Sequence, residues 1–218
     1  MSDVGLSPSF GYFVLGMLAM VLVGAYLIGS IPFGNFIARV FYHADIPKSG
    51  STSIGAMSAP PTIGWRGTVV VLILDAAKGF VPVLIVRAFT QPLGDPIFDW
   101  VVAAVAAAAV LGHCFSPWLR FKGGKGVATS FGAVLGFCWP AALVAIAVWI
   151  ACTMLTRYTS AGSMLGSLAT PIAIWLFTES PALTLYGAFA ALLIVFMHRE
   201  NITRLRAGTE VPIELFGG

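Results

Sequence analysis

Charged side chains are scarce in this sequence. Only 10% of its 218 residues are Asp, Glu, Lys or Arg, against about 25% in a typical soluble domain. So few ionisable groups cannot clothe a water-facing surface, which excludes an ordinary soluble globule. Cysteine is sparse as well. Cys114, Cys138 and Cys152 lie far apart in or beside apolar stretches, without CxxC or Cys/His spacing. That pattern indicates neither a disulfide framework nor a metal site and makes them small packing residues. The opening MSDVGLSPSF has no basic n-region, so it does not read as a cleavable signal peptide, and the first apolar segment is expected to stay in place. Polar linkers and low-complexity tails are missing, so residues 1–218 are expected to form a single integral-membrane domain. The alternating segments of about ten residues that build a membrane β-barrel are missing too.

What fills the chain is apolar sequence: 58% of residues are hydrophobic and mean hydropathy is +0.92. A helix crossing hydrocarbon needs roughly 20 residues, and helices satisfy their own backbone hydrogen bonds there. Seven apolar segments can be drawn, at about 10–40, 68–89, 97–118, 127–137, 139–155, 164–177 and 183–198. The first is too long for one crossing, and Ile31-Pro32 marks a break or kink near its end. The fourth is short, which suits a re-entrant or broken segment. The expected fold is therefore an all-α polytopic membrane protein with about seven transmembrane helices.

Orientation follows from the basic residues. With seven spans, one side holds Arg39, Lys48, Arg66, Arg120, Lys122, Lys125, Arg157, Arg199, Arg204 and Arg206, and the other only Arg87 beside Asp3, Asp95, Asp99 and Glu179. This asymmetry places the N-terminus outside and the C-terminus in the cytoplasm.

The polar clusters gather on the same basic side. Residues 112–129 read GHCFSPWLRFKGGKGVAT. Glycines between lysines let the backbone turn tightly and aim N–H groups at an anion, while Lys122 and Lys125 supply charge. A helix beginning just after them would add its dipole. The GxxxxGK[ST] spacing of a Walker A loop is missing, and a positive turn that merely fixes topology is the plain alternative. Residues 45–67, rich in Ser, Thr, Gly and Pro, make a long connection that is either functional or simply solvated. Residues 198–210 read HRENITRLRAGTE; they either organise a phosphate site at a helix exit or anchor that exit, a role Arg204 and Arg206 fit. Asp75 and Lys78, at helical spacing inside an apolar segment, indicate function or mutual neutralisation. Ser160 and Ser163 either donate hydrogen bonds or cap a helix.

Taken in order, these clusters resemble the three motifs of the acyl-phosphate-dependent glycerol-3-phosphate acyltransferases, the PlsY family. The resemblance covers nearly the whole chain. It includes Gly29-Ser30-Ile31-Pro32-Phe33-Gly34, Asp75-Ala76-Ala77-Lys78-Gly79, the serines after Arg157, and close matches to GHxFxxxxxFKGGKGVAT and HRxNIxRLxxGTE. It implies transfer of an acyl group from acyl-phosphate to the 1-hydroxyl of glycerol 3-phosphate, giving lysophosphatidic acid and phosphate. Neither a cofactor nor a metal takes part in that reaction, because the mixed anhydride is already activated. It also implies a bacterial inner-membrane protein with a site facing the cytoplasm, in contact with lipids and not with nucleic acid.

By the same resemblance Ser51, His113, Lys125, His198 and Glu210 carry the catalytic site. Lys125 and its glycines would hold phosphate, His198 and Asn201 would contact glycerol phosphate, and Glu210 would order a closing loop. Ser30, Lys122, Gly123, Gly124, Gly126, Ser160, Ser163, Asn201 and Gly208 complete the substrate-binding set. The first motif departs from the family: Thr52, Ser53, Met57 and Ser58 replace Gly, Asn, Thr and Asn, and Pro61 stands where the family has a phosphate-binding arginine. Two alternatives follow. One is a non-catalytic or altered-specificity paralogue that binds an anionic ligand, and the other is a transporter of a phosphorylated solute.

Overall fold

Apolar runs broken by Pro, Gly and charged turns become helices here. The structure, a computed structural model, describes residues 8–42, 64–94 and 96–213. Nine α-helices are found among them: α1 (Pro8–Ser30), α2 (Phe33–Tyr42), α3 (Gly64–Thr90), α4 (Ile97–Cys114), α5 (Val127–Phe137), α6 (Trp139–Thr156), α7 (Thr159–Thr178), α8 (Pro181–Met197) and α9 (Arg199–Arg206). No strand occurs among the described residues. Each of the seven apolar segments drawn from sequence corresponds to a helix. The long first segment is cut after Ser30 into α1 and α2, because Pro32 cannot donate the N–H that would continue the ladder.

Five helices (α1, α3, α4, α6 and α7) are long and apolar enough to cross a membrane. The pair α8 and α9, bent by 56° at His198, makes a sixth candidate. The 11 residues of α5 extend only about 16 Å at 1.5 Å per residue. Large apolar side chains face outward along the bundle, among them Leu155, Leu176 and Leu192, as expected where lipid is the solvent.

Inside, α4 runs through the centre with Val102, Val105, Ala106, Ala109 and Val110 fully buried, and it packs on α1, α3, α5 and α8. Lipid offers no hydrophobic drive between helices, so close backbone approach at small residues has to hold them together. Two helix pairs show this reciprocally. Side chains on Gly29 of α1 and Gly112 of α4 would collide with the Ala109 and Tyr26 carbonyls, and side chains on Gly79 of α3 and Gly132 of α5 with those of Thr129 and Ala76.

Candidate functional site

The site grows from the loop between α4 and α5. Arg120 and Phe121 both take left-handed backbone angles (φ 53° and 61°), which reverses the chain and returns it to the end of α4. There the N–H groups of Gly123 and Gly124 donate to the Cys114 and His113 carbonyls, each at 3.0 Å. These two N–H groups therefore fasten the loop to α4, rather than facing a ligand as the glycine pattern suggested. Gly126 has φ +84°, and a side chain on it would press on Cys114 and Val110, so only glycine fits where α5 starts. No side chain caps that start, which leaves the positive end of the α5 dipole open beside Lys125.

Lys125 is met by the exit of α8. His198 stands at the bend between α8 and α9, and its Nδ1 lies 2.7 Å from the Ile194 carbonyl. A carbonyl only accepts, so Nδ1 carries the proton and the neutral ring keeps its lone pair on Nε2. One turn on, Asn201 Oδ1 accepts from Lys125 Nζ at 2.7 Å, and Asn201 Nδ2 donates to Glu210 Oε1 at 2.6 Å. Gly208, at φ +68°, reverses the chain after α9 and carries Glu210 back. Ser160 Oγ and Arg204 Nε both donate to the Glu210 carboxylate at 2.7 Å. The Ile213 N–H donates to the Arg157 carbonyl at 2.8 Å and ties the returning tail to the α6–α7 turn.

Electrostatics follow from this packing. Burial disfavours the charged form of Lys125, and the Arg204 charge adds to it, so the ammonium titrates below the ordinary 10.5 despite Glu210 and Glu200 nearby. Burial alone would raise Glu210, but hydrogen bonds from Ser160, Asn201 and Arg204, with the Arg204 charge, outweigh it and hold the carboxyl below 4.5. Lys125 keeps two of its three donors for a ligand.

The structure thus brings Lys125, Asn201, Glu210 and Ser160 into one hydrogen-bonded chain, with His198 near enough to feel the charges of Lys125 and Glu210. Gly123, Gly124, Gly126 and Gly208 shape its two loops. Lys122 is exposed on the loop. Ser163 is engaged elsewhere: it donates to the Thr159 carbonyl and accepts from Trp149 Nε1. Ser30 donates to the Leu27 carbonyl and accepts from Trp118 Nε1, so it belongs to the packing of the loop on α1. His113 is buried in a neighbouring cluster with Asp75 and Lys78. Ser51 and Pro61 lie outside the described residues. Arg204, read from sequence as an anchor, is a partner of Glu210; a glycine turn between residues six apart was the signal for it.

The chain matches the model of the family described as glycerol-3-phosphate acyltransferase over residues 19–208. A glycerol-3-phosphate acyltransferase of Thermus thermophilus is 46% identical to it over 191 residues, covering 87% of this chain and 92% of that protein. That of Dinoroseobacter shibae is 41% identical over 198 residues, covering 91% and 94%. Among solved structures, the chain is similar to PlsY, an integral membrane glycerol 3-phosphate acyltransferase. The glycerol 3-phosphate form aligns with a TM-score of 0.82 at 33% identity, covering 91% of this chain and 96% of that one. The lysophosphatidic acid form aligns with a TM-score of 0.80 at 32% identity.

Proposed function

The chain belongs to the glycerol-3-phosphate acyltransferase family, and from that premise we propose that the cluster around Lys125 transfers an acyl group from an acyl-phosphate to the 1-hydroxyl of glycerol 3-phosphate. The protein is an all-helical integral membrane acyltransferase of phospholipid biosynthesis. Lysophosphatidic acid and inorganic phosphate are the products. The hydroxyl oxygen bonds to the acyl carbon, the bond from that carbon to the phosphate oxygen breaks, and the hydroxyl proton ends on the departing phosphate. Because the donor is an anhydride, the protein has to bind, orient and stabilise charge.

The observation that carries this reading is the Lys125–Asn201–Glu210 chain beside the uncapped start of α5. Lys125 and the α5 dipole hold phosphate. His198 Nε2 accepts from a substrate hydroxyl, and Asn201 orients Lys125. Glu210, with Ser160 and the Gly208 turn, closes the tail over the site. Gly123, Gly124 and Gly126 give the loop its shape, and Lys122 adds charge at its rim. Ser51 belongs to the same site by family resemblance, while His113 and Ser30 hold the loop against α4 and α1 and Ser163 packs on Trp149.

The proposed topology has seven spans, α1 and α3–α8, with the N-terminus outside and the C-terminus and active site at the cytoplasmic face of a bacterial inner membrane. The ten-to-one division of loop Lys and Arg supports it. Labelling of single cysteines at positions 3 and 216 from opposite sides of the membrane tests it; labelling from one side for both would refute seven spans. Activity is tested with purified protein, palmitoyl-phosphate and glycerol 3-phosphate, following lysophosphatidic acid and phosphate release in equal amounts. Phosphate release without lysophosphatidic acid would contradict acyl transfer to this acceptor.

A further inference from the structure

The cluster that the reaction leaves unused lies in the middle of α3. Asp75 and Lys78 are 3% and 4% exposed, with Lys78 Nζ 2.7 Å from Asp75 Oδ1. Ionisable groups at such a place are costly, and two apolar residues would fill the same space without that cost. What the charged pair adds is reach in two directions. Toward the N-terminus, Lys78 Nζ donates to the Ile31 carbonyl at 3.1 Å, the joint between α1 and α2, and lies 5.9 Å from the centre of the Phe33 ring that opens α2. Toward α4, Asp75 Oδ1 is 3.8 Å from His113 Nδ1.

His113 in turn holds Gly124 at two points. Its carbonyl accepts the Gly124 N–H at 3.0 Å, and its ring fills the space that a side chain on Gly124 would need. Gly124 directly precedes Lys125. The same joint is held from the loop side, where Ser116 Oγ donates to the Ser30 carbonyl at 2.7 Å. A small cavity between these parts is lined by Ser30, Pro32, Asp75, Lys78, His113 and Gly124.

We propose that Asp75 and Lys78 are positioning residues for the phosphate loop: together they fix the α1–α2 joint and the His113 ring on which Gly124 rests, and so set where the Lys125 ammonium stands. The inference rests on the reading of Lys125 as a phosphate ligand. A buried lysine needs acceptors beyond its carboxylate partner, and here the acceptor is the α1–α2 joint, with the His113 ring on the other side of the pair. A contact chain of this kind transmits misplacement, and an error of about 1 Å in a reacting geometry lowers rate roughly 100-fold.

The test uses purified full-length protein carrying Asp75→Asn or Asp75→Asn/Lys78→Met, with Lys125→Ala alongside. Asp75→Asn keeps the shape and an acceptor for Lys78, and the double variant leaves no unpaired buried charge. The expected result in both is a rise of about tenfold or more in KM for one or both phosphorylated substrates, with kcat/KM down by roughly 100-fold, and in the double variant a melting temperature close to the parent's. A merely structural role would lower the amount of folded protein and leave the KM of the remainder unchanged. Parental KM values in the double variant overturn the inference, as do those of Asp75→Asn if the double yields no folded protein. If Lys125→Ala also keeps parental kinetics, the phosphate reading of the loop has failed. If it loses turnover while the α3 variants do not, only the positioning role falls.

Discussion

Removing the Glu210 carboxylate takes away the acceptor shared by Ser160 of α7 and by Asn201 and Arg204 of α9. Its side chain is 8% exposed and takes hydrogen bonds from Ser160, Asn201 and Arg204. A hydrogen bond to a charged group contributes about 1.5–3 kcal/mol. The Arg204 contact is the weakest of the three, because the Arg204 side chain is 43% exposed and water screens it. Ser160 and Asn201 share Oε1, so their bonds are not additive, and together they contribute about 3 kcal/mol. At about 1.4 kcal/mol per decade, that is roughly a 100-fold loss of the closed tail. Glu210→Ala should therefore lower kcat/KM by roughly 100-fold and expose the amides of residues 207–213 to hydrogen exchange. Glu210→Gln should lose far less: its amide oxygen still accepts from Ser160 and Asn201, and only the Arg204 contact meets a second donor. That loss is about 1 kcal/mol, or roughly fivefold. If Gln is as damaging as Ala, charge and not acceptor geometry organises the tail. If Ala stays near parental activity, the tail organises nothing.

Three further outcomes follow from the same geometry and a fourth from the family resemblance. Glu210 titrates lower folded than unfolded, so its stabilising contribution is present above 4.5 and is lost as pH falls through its depressed value; Glu210→Gln should flatten the acid decline of the melting temperature. Lys125 titrates below 10.5, so KM for glycerol 3-phosphate should rise with alkaline pH before an ordinary lysine would discharge, and Lys125→Arg should move that limb to higher pH. Gly132→Ala should cost about 1–3 kcal/mol through overpacking against the Ala76 carbonyl, read as a lower melting temperature, whereas Gly16→Ala, with nothing within 4 Å, should be neutral; equal effects would refute the close α3–α5 approach. Pro61→Arg should lower KM for glycerol 3-phosphate by about ten- to hundredfold, the value of a charge-assisted hydrogen bond of about 1.5–3 kcal/mol, and Pro61→Ala should not.

Much of the site was legible because its motifs are short and local. The 112–129 and 198–210 stretches each carry glycine, charge and amide groups that suit an anion site as well as a basic turn or anchor, and the structure brings Lys125, Asn201 and Glu210 together. The reading was less able to divide roles within a motif. Gly123 and Gly124 have the composition of an anion cradle, yet their N–H groups donate to α4. Ser160 and Ser163 lie three residues apart and look interchangeable, but one reaches Glu210 and the other Trp149. Three residues leave the two side chains roughly 60° apart in rotation and about 4.5 Å apart along the axis, and together these offsets separate the two partners.

The sequence by itself determined that the chain is helical and membrane-embedded, since low charge and long apolar runs leave no other way to satisfy the backbone in lipid. It also determined where the helices break, at Ile31-Pro32 and around the glycines, because those limits are set by backbone chemistry within a few residues. Only the tertiary structure decided which helices touch and what the deep charges face. The α1–α4 and α3–α5 contacts depend on small residues far apart in sequence meeting face to face. Lys78 reaches Ile31 across 47 positions and Lys125 reaches Asn201 across 76. Such pairings depend on helix rotation and depth in the bundle, which hydropathy does not encode, because every lipid-embedded face looks equally apolar until it is packed.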